Sequence, residues 1–261
     1  MGKRDREGDV PPLPLLFQPV FPGDELCEVS ALSSVLLGSG VTRDGALLRA
    51  SQAGILCWEA AQSRMWVEGE ARRYVPALGD HVIAIVSDKH ADEYRLHIGA
   101  ASPASLPTLA FDGASKRNRP HLEVGTLVYA RIVIAHKDME PEASCAAPPG
   151  VGAKDWVTKE SVFGELSGGH VFDCPPALCR RLMGTEVPVL DALANVAPFE
   201  LAVGVNGRVW ISSASAATVV LAQVAILRSQ GVADDGHAPL VDAIASTFDL
   251  PEDSGAAQKA R

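Results

Sequence analysis

The sequence predicts a mainly β protein with an α+β C-terminal part, and three observations carry the prediction. From Gly23 to Ile134 the apolar residues fall in short runs broken by glycine, proline and aspartate, the punctuation of strands joined by tight turns. The run Val82–Val86 is rich in β-branched residues, whose stiff side chains suit a pleated, half-buried surface. Beyond Ser161 the rhythm changes, and Ala214–Gln230 carries the longest stretch of helical spacing.

Taken in order, residues 1–19 are expected to be a flexible tail. Met1 to Asp9 are mostly charged or glycine, and Pro11, Pro12, Pro14 and Pro19 keep the following chain extended. Residues 20–74 read as an N-terminal β module, with apolar runs Ala31–Leu37, Ala46–Leu48 and Ala53–Trp58 separated by Gly-Ser-Gly and Arg-Asp-Gly turns. Residues 75–152 hold a strand through Val82–Val86, a second at Glu93–Ile98 with Tyr94, Leu96 and Ile98 on one face, and a third at Gly125–Ile134. A long polar stretch through Ala114–Pro120 precedes the third, a spacing that suits a five-stranded OB barrel.

Residues 153–250 mix the two periodicities. Ser161–Leu166 and His170–Phe172 read as short strands, and Pro175–Met183 as a short helix stopped by Gly184. Glu200–Val203 and Arg208–Ser212 form a hairpin around Gly204-Val205-Asn206-Gly207, in which Asn-Gly is the favoured type I′ signal. The Ala214–Gln230 helix and a weaker one at Leu240–Phe248 complete this part, with helices on one face of a small sheet. Residues 251–261 are polar and are expected to be a second flexible tail.

Composition bounds the function. A hydrophobic share of 47% against 21% charged residues calls for packed cores rather than a disordered chain. The net charge of -9 argues against a protein that envelops nucleic acid by bulk electrostatics, so any RNA site has to be local. A basic knot at Lys116, Arg117 and Arg119 is the obvious local candidate. Five scattered cysteines and no signal peptide read as reduced thiols of a cytosolic or nuclear protein. No apolar stretch approaches the ~20 residues needed to span a bilayer, so no membrane partner is expected.

Catalytic and cofactor motifs are missing from the sequence. Cys174 and Cys179 lie close together, but no second pair and no histidine at ligand spacing completes a zinc set. His81, His97, His121, His136 and His170 adjoin no nucleophile motif, and no phosphate-binding glycine loop is present. The expected metal and cofactor complement is therefore none. The carboxylates Asp138, Glu140 and Glu142 would be the only starting point for a metal-dependent nuclease, and they read better as a turn or partner contact beside Pro141.

Several stretches together resemble a known family. They are the basic turn from Leu109 to Pro120 with its Lys116-Arg117-Asn118-Arg119-Pro120 run, the segment Ala135-His136-Lys137-Asp138-Met139-Glu140-Pro141-Glu142, and Val203-Gly204-Val205-Asn206-Gly207-Arg208-Val209-Trp210. Tyr74-Val75-Pro76 with Gly79-Asp80-His81-Val82-Ile83, and Pro22-Gly23-Asp24, add to them in matching order. Over roughly residues 20 to 230 the chain resembles the cap subunits of the eukaryotic RNA exosome that join an S1-type OB barrel to a KH domain, the forty-kilodalton ribosomal-RNA-processing, or exosome component three, family. The Lys-Arg-Asn-Arg-Pro run combined with Lys-Asp-Met-Glu-Pro-Glu separates this family from its sister cap subunit.

The resemblance implies 75–152 as the S1 domain, 153–250 as the KH domain, and a structural RNA-binding subunit without turnover of its own. It implies single-stranded RNA, RNase-PH-like ring subunits and other cap subunits as partners, a role in RNA decay and ribosomal-RNA processing, and residence in nucleus, nucleolus and cytoplasm. Lys116, Arg117 and Arg119 are candidates to hold RNA phosphates, Asn118 a sugar or base edge, and Phe111 a stacked base. The same basic run also fits an acidic surface of the ring. Gly204, Asn206 and Gly207 lie between strands, whereas a KH clamp joins two helices, and they read as a structural turn. Trp210 reads as a packing residue whose indole N–H meets a carbonyl. A free-standing OB/KH RNA-binding protein remains the alternative, and the net charge counts against it.

Overall fold

A computed structural model describes residues 15–32, 34–59, 63–69, 73–136, 138–148, 161–184 and 187–248. Most of the expected N-terminal tail, the whole C-terminal tail and the 152/153 boundary lie outside the described residues. The chain divides into two compact units, residues 1–71 and 72–261.

The first unit holds two antiparallel-rich sheets. In one, β1 (Pro19–Val20), β6 (Gly54–Glu59), β7 (Arg64–Glu68) and β3 (Leu36–Leu37) lie in the order β1-β6-β7-β3. In the other, β5 (Leu47–Ala50) is flanked by β2 (Glu25–Glu28) and β4 (Val41–Asp44). Alternating residues such as Met65 and Val67 bury the inner face together with Val20, Leu26, Leu48 and Leu56. The expected tail ends sooner than residue 19. Leu16 bridges Leu56, and the Phe17 N–H donates to the Leu56 carbonyl at 2.8 Å. Among the described residues of the Ala31–Leu37 run, Leu36 and Leu37 pair as a strand, and Ala31 closes a 3-10 turn that begins at Val29.

The second unit opens with the barrel. Strands β8 (His81–Lys89), β9 (Glu93–His97), β10 (Ala104–Pro107), β11 (Leu127–Ile134) and β12 (Glu142–Ser144) follow one another in the chain. Their pairing order β12-β10-β9-β8-β11 closes on itself through a β11–β12 ladder, with β10 and β12 parallel and the remaining ladders antiparallel. That is the partly Greek-key ring of an OB fold, and it leaves no strand edge inside the ring open. Inward residues Val82, Ala84, Val86, Leu96, Leu106, Val128, Ala130 and Ile132 fill it. A sixth strand, β13 (Gly164–Leu166), pairs with β11 at Leu127–Tyr129, ahead of the stretch of β11 that pairs with β12.

The α+β part is a three-stranded sheet, β14 (His170–Asp173), β16 (Arg208–Ser212) and β15 (Glu200–Gly204) in that order, with helices α1 (Pro176–Leu182), α2 (Pro188–Val196), α3 (Ala216–Arg228) and α4 (His237–Ala245). Phe172, Val209 and Ile211 face the helices and pack on Leu178, Leu193, Leu221 and Ile226. The opposite face of the sheet meets the barrel: Ala202 and Trp210 bury Ile83 of β8. The fold is thus mostly β with a closed five-stranded barrel and a few C-terminal helices. None of the described helices is long and apolar enough to cross a membrane.

Candidate nucleic-acid interface

The basic run sits on the long connection from β10 to β11, which is pinned at both ends. Phe111 bridges Cys145 and is only 5% exposed, inside the barrel core. Phe111 is therefore not available as a base platform; a loop aromatic beside Ala143 and Cys145 gains more by closing the barrel than by facing water. At the far end the Tyr94 hydroxyl, itself buried, donates to the Pro120 carbonyl at 2.8 Å. Between these anchors Ser115 and Asn118 exchange backbone bonds at 2.8 and 3.1 Å, and Lys116 and Arg117 stand exposed at the tip. Neither makes an ion pair among the described residues.

Arg119 has a different place. Its Nη1 donates to the Ala91 carbonyl at 3.0 Å and lies 3.9 Å from Asp92, so it ties the run to the β8–β9 turn. That turn is one of the loops through which OB barrels take oligonucleotides. The structure brings Lys116, Arg117 and Asn118 together as solvent-facing groups beside it, with Arg119 holding them there.

The β9–β10 face lacks the usual stacking aromatics. Tyr94 points into the core, Arg95 is held by Glu140 and Glu93, and the His97 Nδ1 is 2.9 Å from Arg208. Glu140 is thus engaged in an ion pair, and Asp138 lies 3.8 Å from His136. Among the described residues no group of three His, Cys, Asp or Glu side chains is placed to hold a metal ion. Cys174 and Cys179 are buried free thiols.

The glycine tetrad lies between β15 and β16 and enters the barrel wall. Asn206 is buried and fully used: its Oδ1 accepts from Ile83 N–H at 3.1 Å, and its Nδ2 donates to the carbonyls of Ile83 at 2.8 Å and Ile98 at 3.0 Å. Val205 donates its N–H to His81 O at 2.9 Å and sends its side chain into the barrel core. A side chain on Gly204 would fall 2.7 Å from the Ile83 nitrogen, so only glycine allows this approach. Gly207 has φ +83° and donates to the Gly204 carbonyl, while neither Val205 nor Asn206 has positive φ. The turn is accordingly type I followed by a left-handed glycine, a three-residue loop rather than the expected two-residue type I′ turn. The longer loop gives Asn206 the reach that a type I′ turn would deny it.

Arg208 and Trp210 complete the lock. Arg208 Nη1 donates to His97 O at 2.9 Å and Ile83 O at 3.2 Å, and its burial pulls the guanidinium pKa down against the opposing pull of Asp173. The Trp210 indole N–H donates to Gly168 O at 2.9 Å.

Comparison with known proteins matches this architecture. The sequence profile for "Exosome complex component RRP40, S1 domain" matches residues 74–154, and a KH domain profile matches 169–217. Exosome complex component RRP40 of Drosophila melanogaster is 40% identical over 220 residues, covering 82% of this chain and 91% of the relative. The human RRP40 is 36% identical over 200 residues, covering 73% and 69% respectively. The chain belongs to the RRP40 family. A yeast member, from Saccharomyces cerevisiae, is 33% identical over 74% of this chain and 80% of its own length. A crystallised protein assigned provisionally as an exosome complex RNA-binding protein shares the fold with a TM-score of 0.52, at 20% identity, over 67% of this chain and 99% of its own.

Sequence reasoning missed the partners of the RRP40-type turn. His81 illustrates why. Its Nδ1 lies 3.1 Å from the Tyr129 hydroxyl, which in turn donates to Val203 O at 3.3 Å, and Phe163 stacks on Tyr129. These residues are scattered over the chain and share no motif. Burial and the nearby Arg131 charge lower the His81 pKa from its usual 6.5. The unfolded chain therefore takes up this proton before the folded one, and stability is lost as pH falls below about 6.5. Urea midpoints measured from pH 7.5 to 5.5 are expected to fall, and to fall less in His81→Gln; an identical slope in the variant would exclude His81 as the cause.

Proposed function

We propose that this chain is a non-catalytic, RNA-binding cap subunit of the RNA exosome, which stabilises the ring and guides single-stranded RNA toward the 3′–5′ degradation and processing channel. The single observation that carries this is the match to RRP40 exosome components at 33–40% identity over most of the chain, with the S1 profile on the barrel and the KH profile on the sheet locked to it. The chain acts as structure and RNA contact, and turnover belongs to nucleases bound elsewhere in the complex. RNA and exosome subunits are its partners; RNase-PH-like ring proteins and the other cap subunits are the surfaces it sits against. Ribosomal-RNA processing and RNA decay place it in nucleus, nucleolus and cytoplasm.

Within this reading Lys116 and Arg117 hold phosphates of the passing strand, with Asn118 at a sugar or base edge. Such contacts are electrostatic and sequence-independent, so they weaken with salt. Reversing both charges in Lys116→Glu/Arg117→Glu is expected to cut RNA protection by the reconstituted complex about tenfold at ~0.1 M salt, leaving assembly intact. Unchanged protection would remove the loop from the RNA path. Lost assembly with unchanged protection per complex would make it a ring contact instead.

A further inference from the structure

The β8–β9 turn carries an exposed imidazole that the phosphate contacts at Lys116 and Arg117 leave without a role. The His90 side chain is 50% exposed. Its backbone N–H donates to the Glu93 carbonyl at 2.9 Å, which closes the turn beneath the ring. The ring Nε2 lies 3.7 Å from the Asp88 carboxylate, so the ring is held at one edge while half of the side chain stays open to solvent.

The tyrosine and phenylalanine rings of the barrel are already spent. Tyr94 and Phe111 are buried in the core, and Phe163 stacks on Tyr129. His97 is tied through Nδ1 to Arg208. His90 differs in its neighbour: it directly precedes Ala91, whose carbonyl accepts from Arg119 at 3.0 Å. The bond that anchors the basic run therefore sets the run one residue from this ring.

The charges around the turn select the kind of contact it can make. Asp92 lies 3.9 Å from Arg119, Glu93 3.6 Å from Arg95 and Glu123 3.4 Å from Lys89, so these carboxylates are met by the cations beside them. Lys116 and Arg117 make no ion pair among the described residues and are left to hold phosphates. What the turn adds next to them is a ring, and stacking needs a π-face rather than a field.

We propose that His90 is the base-stacking platform of the RNA site, taking one base of a single strand whose adjoining phosphates lie on Lys116 and Arg117. The platform depends on the RNA-binding reading of the basic run and adds to it a contact with the base instead of the backbone. Every base has a π-face, so the contact lends affinity without choosing a sequence.

The test is a titration of the full-length chain with a fluorescein-labelled single-stranded RNA oligonucleotide at several salt concentrations. His90→Ala is expected to weaken binding about tenfold and to leave the slope of log affinity against log salt unchanged, because no phosphate contact is lost. His90→Tyr keeps a ring and should bind within about twofold of the unaltered chain. His90→Gln keeps a hydrogen-bonding group without the ring and should behave like the alanine variant. Unchanged affinity in His90→Ala, recovery in His90→Gln, or an altered salt slope in His90→Ala would each overturn the platform. Lys116→Glu/Arg117→Glu should reduce the slope by about 1.4, the share of two phosphates on a single strand. If that double variant binds normally while His90→Ala does not, the phosphate reading of the basic run falls and the platform stands. If the chain by itself holds no oligonucleotide, the readout is crosslinking of 4-thiouridine RNA to the β8–β9 turn in the reconstituted complex. A crosslink lost in His90→Ala and kept in His90→Tyr is expected there, and no crosslink to the turn would overturn the platform.

Discussion

Replacing Asn206 by leucine is expected to destabilise the second unit by about 3–5 kcal/mol, because roughly 1–3 kcal/mol attaches to each buried group left without a partner. The Ile83 N–H and the Ile98 carbonyl lose the Asn206 amide, while the Ile83 carbonyl keeps Arg208. For a unit of this size the melting temperature should fall by about 10 °C. Asn206→Asp is the sharper variant. It preserves shape but sets a second oxygen against the carbonyls of Ile83 and Ile98, where Nδ2 now donates. It should be at least as damaging near neutral pH, and to recover in part as the carboxyl is protonated, since a protonated acid regains one donor. Urea denaturation of the full chain from pH 4.5 to 7.5 measures both. If the leucine variant loses less than ~1 kcal/mol, the turn does not hold the KH sheet to the barrel.

Trp210→Ala should cost about 3–5 kcal/mol by removing a large side chain from a closed contact. The indole covers Ile83, a residue with no exposure, alongside Ala202 and the partly buried Leu127, Tyr129 and Val171. Trp210→Phe keeps most of that area and loses the bond to Gly168, so it should cost only about 1 kcal/mol. Asn206 and Trp210 both fix β8 at Ile83, one through its backbone and the other through its side chain. The double variant Asn206→Leu/Trp210→Ala should therefore lose less than the sum of the two single losses, because neighbours sharing a contact do not add. Strict additivity would mean that the turn and the indole stabilise separate contacts. An alanine loss like that of an exposed residue would mean that the sheet does not pack on the barrel through Trp210.

The sequence made the long elements legible and hid the short ones. Strands β8, β9 and β11 stand out because their β-branched and alternating residues carry the period directly. β10 and β12 escaped notice. Ala104–Pro107 and Glu142–Ser144 have little strand propensity, and they pair because barrel closure offers them edges. Helix α2 was also missed: Pro188 occupies its first turn, where a missing N–H costs nothing.

The site was legible to a similar degree. The exposed cations at 116 and 117 and the indole donor of Trp210 follow from sequence, since each depends on local chemistry. Phe111 did not, because its burial is decided by Cys145, distant in the chain. Nor did the bonds from Asn206 and Arg208 to Ile83 and His97, which span more than a hundred residues. Family resemblance supplied what spacing alone withheld, by grouping the basic run and the tetrad into one known architecture.

Membership of the assembled exosome as a cap subunit is tested by what the chain co-purifies with. The tagged chain is purified from its native cell under mild salt, passed through size exclusion, and its companions identified by mass spectrometry. Elution in a large assembly together with RNase-PH-like ring proteins and the other cap subunits is expected. Recovery as a lone 27.4 kDa species would contradict it and leave a barrel-and-KH protein acting on RNA by itself.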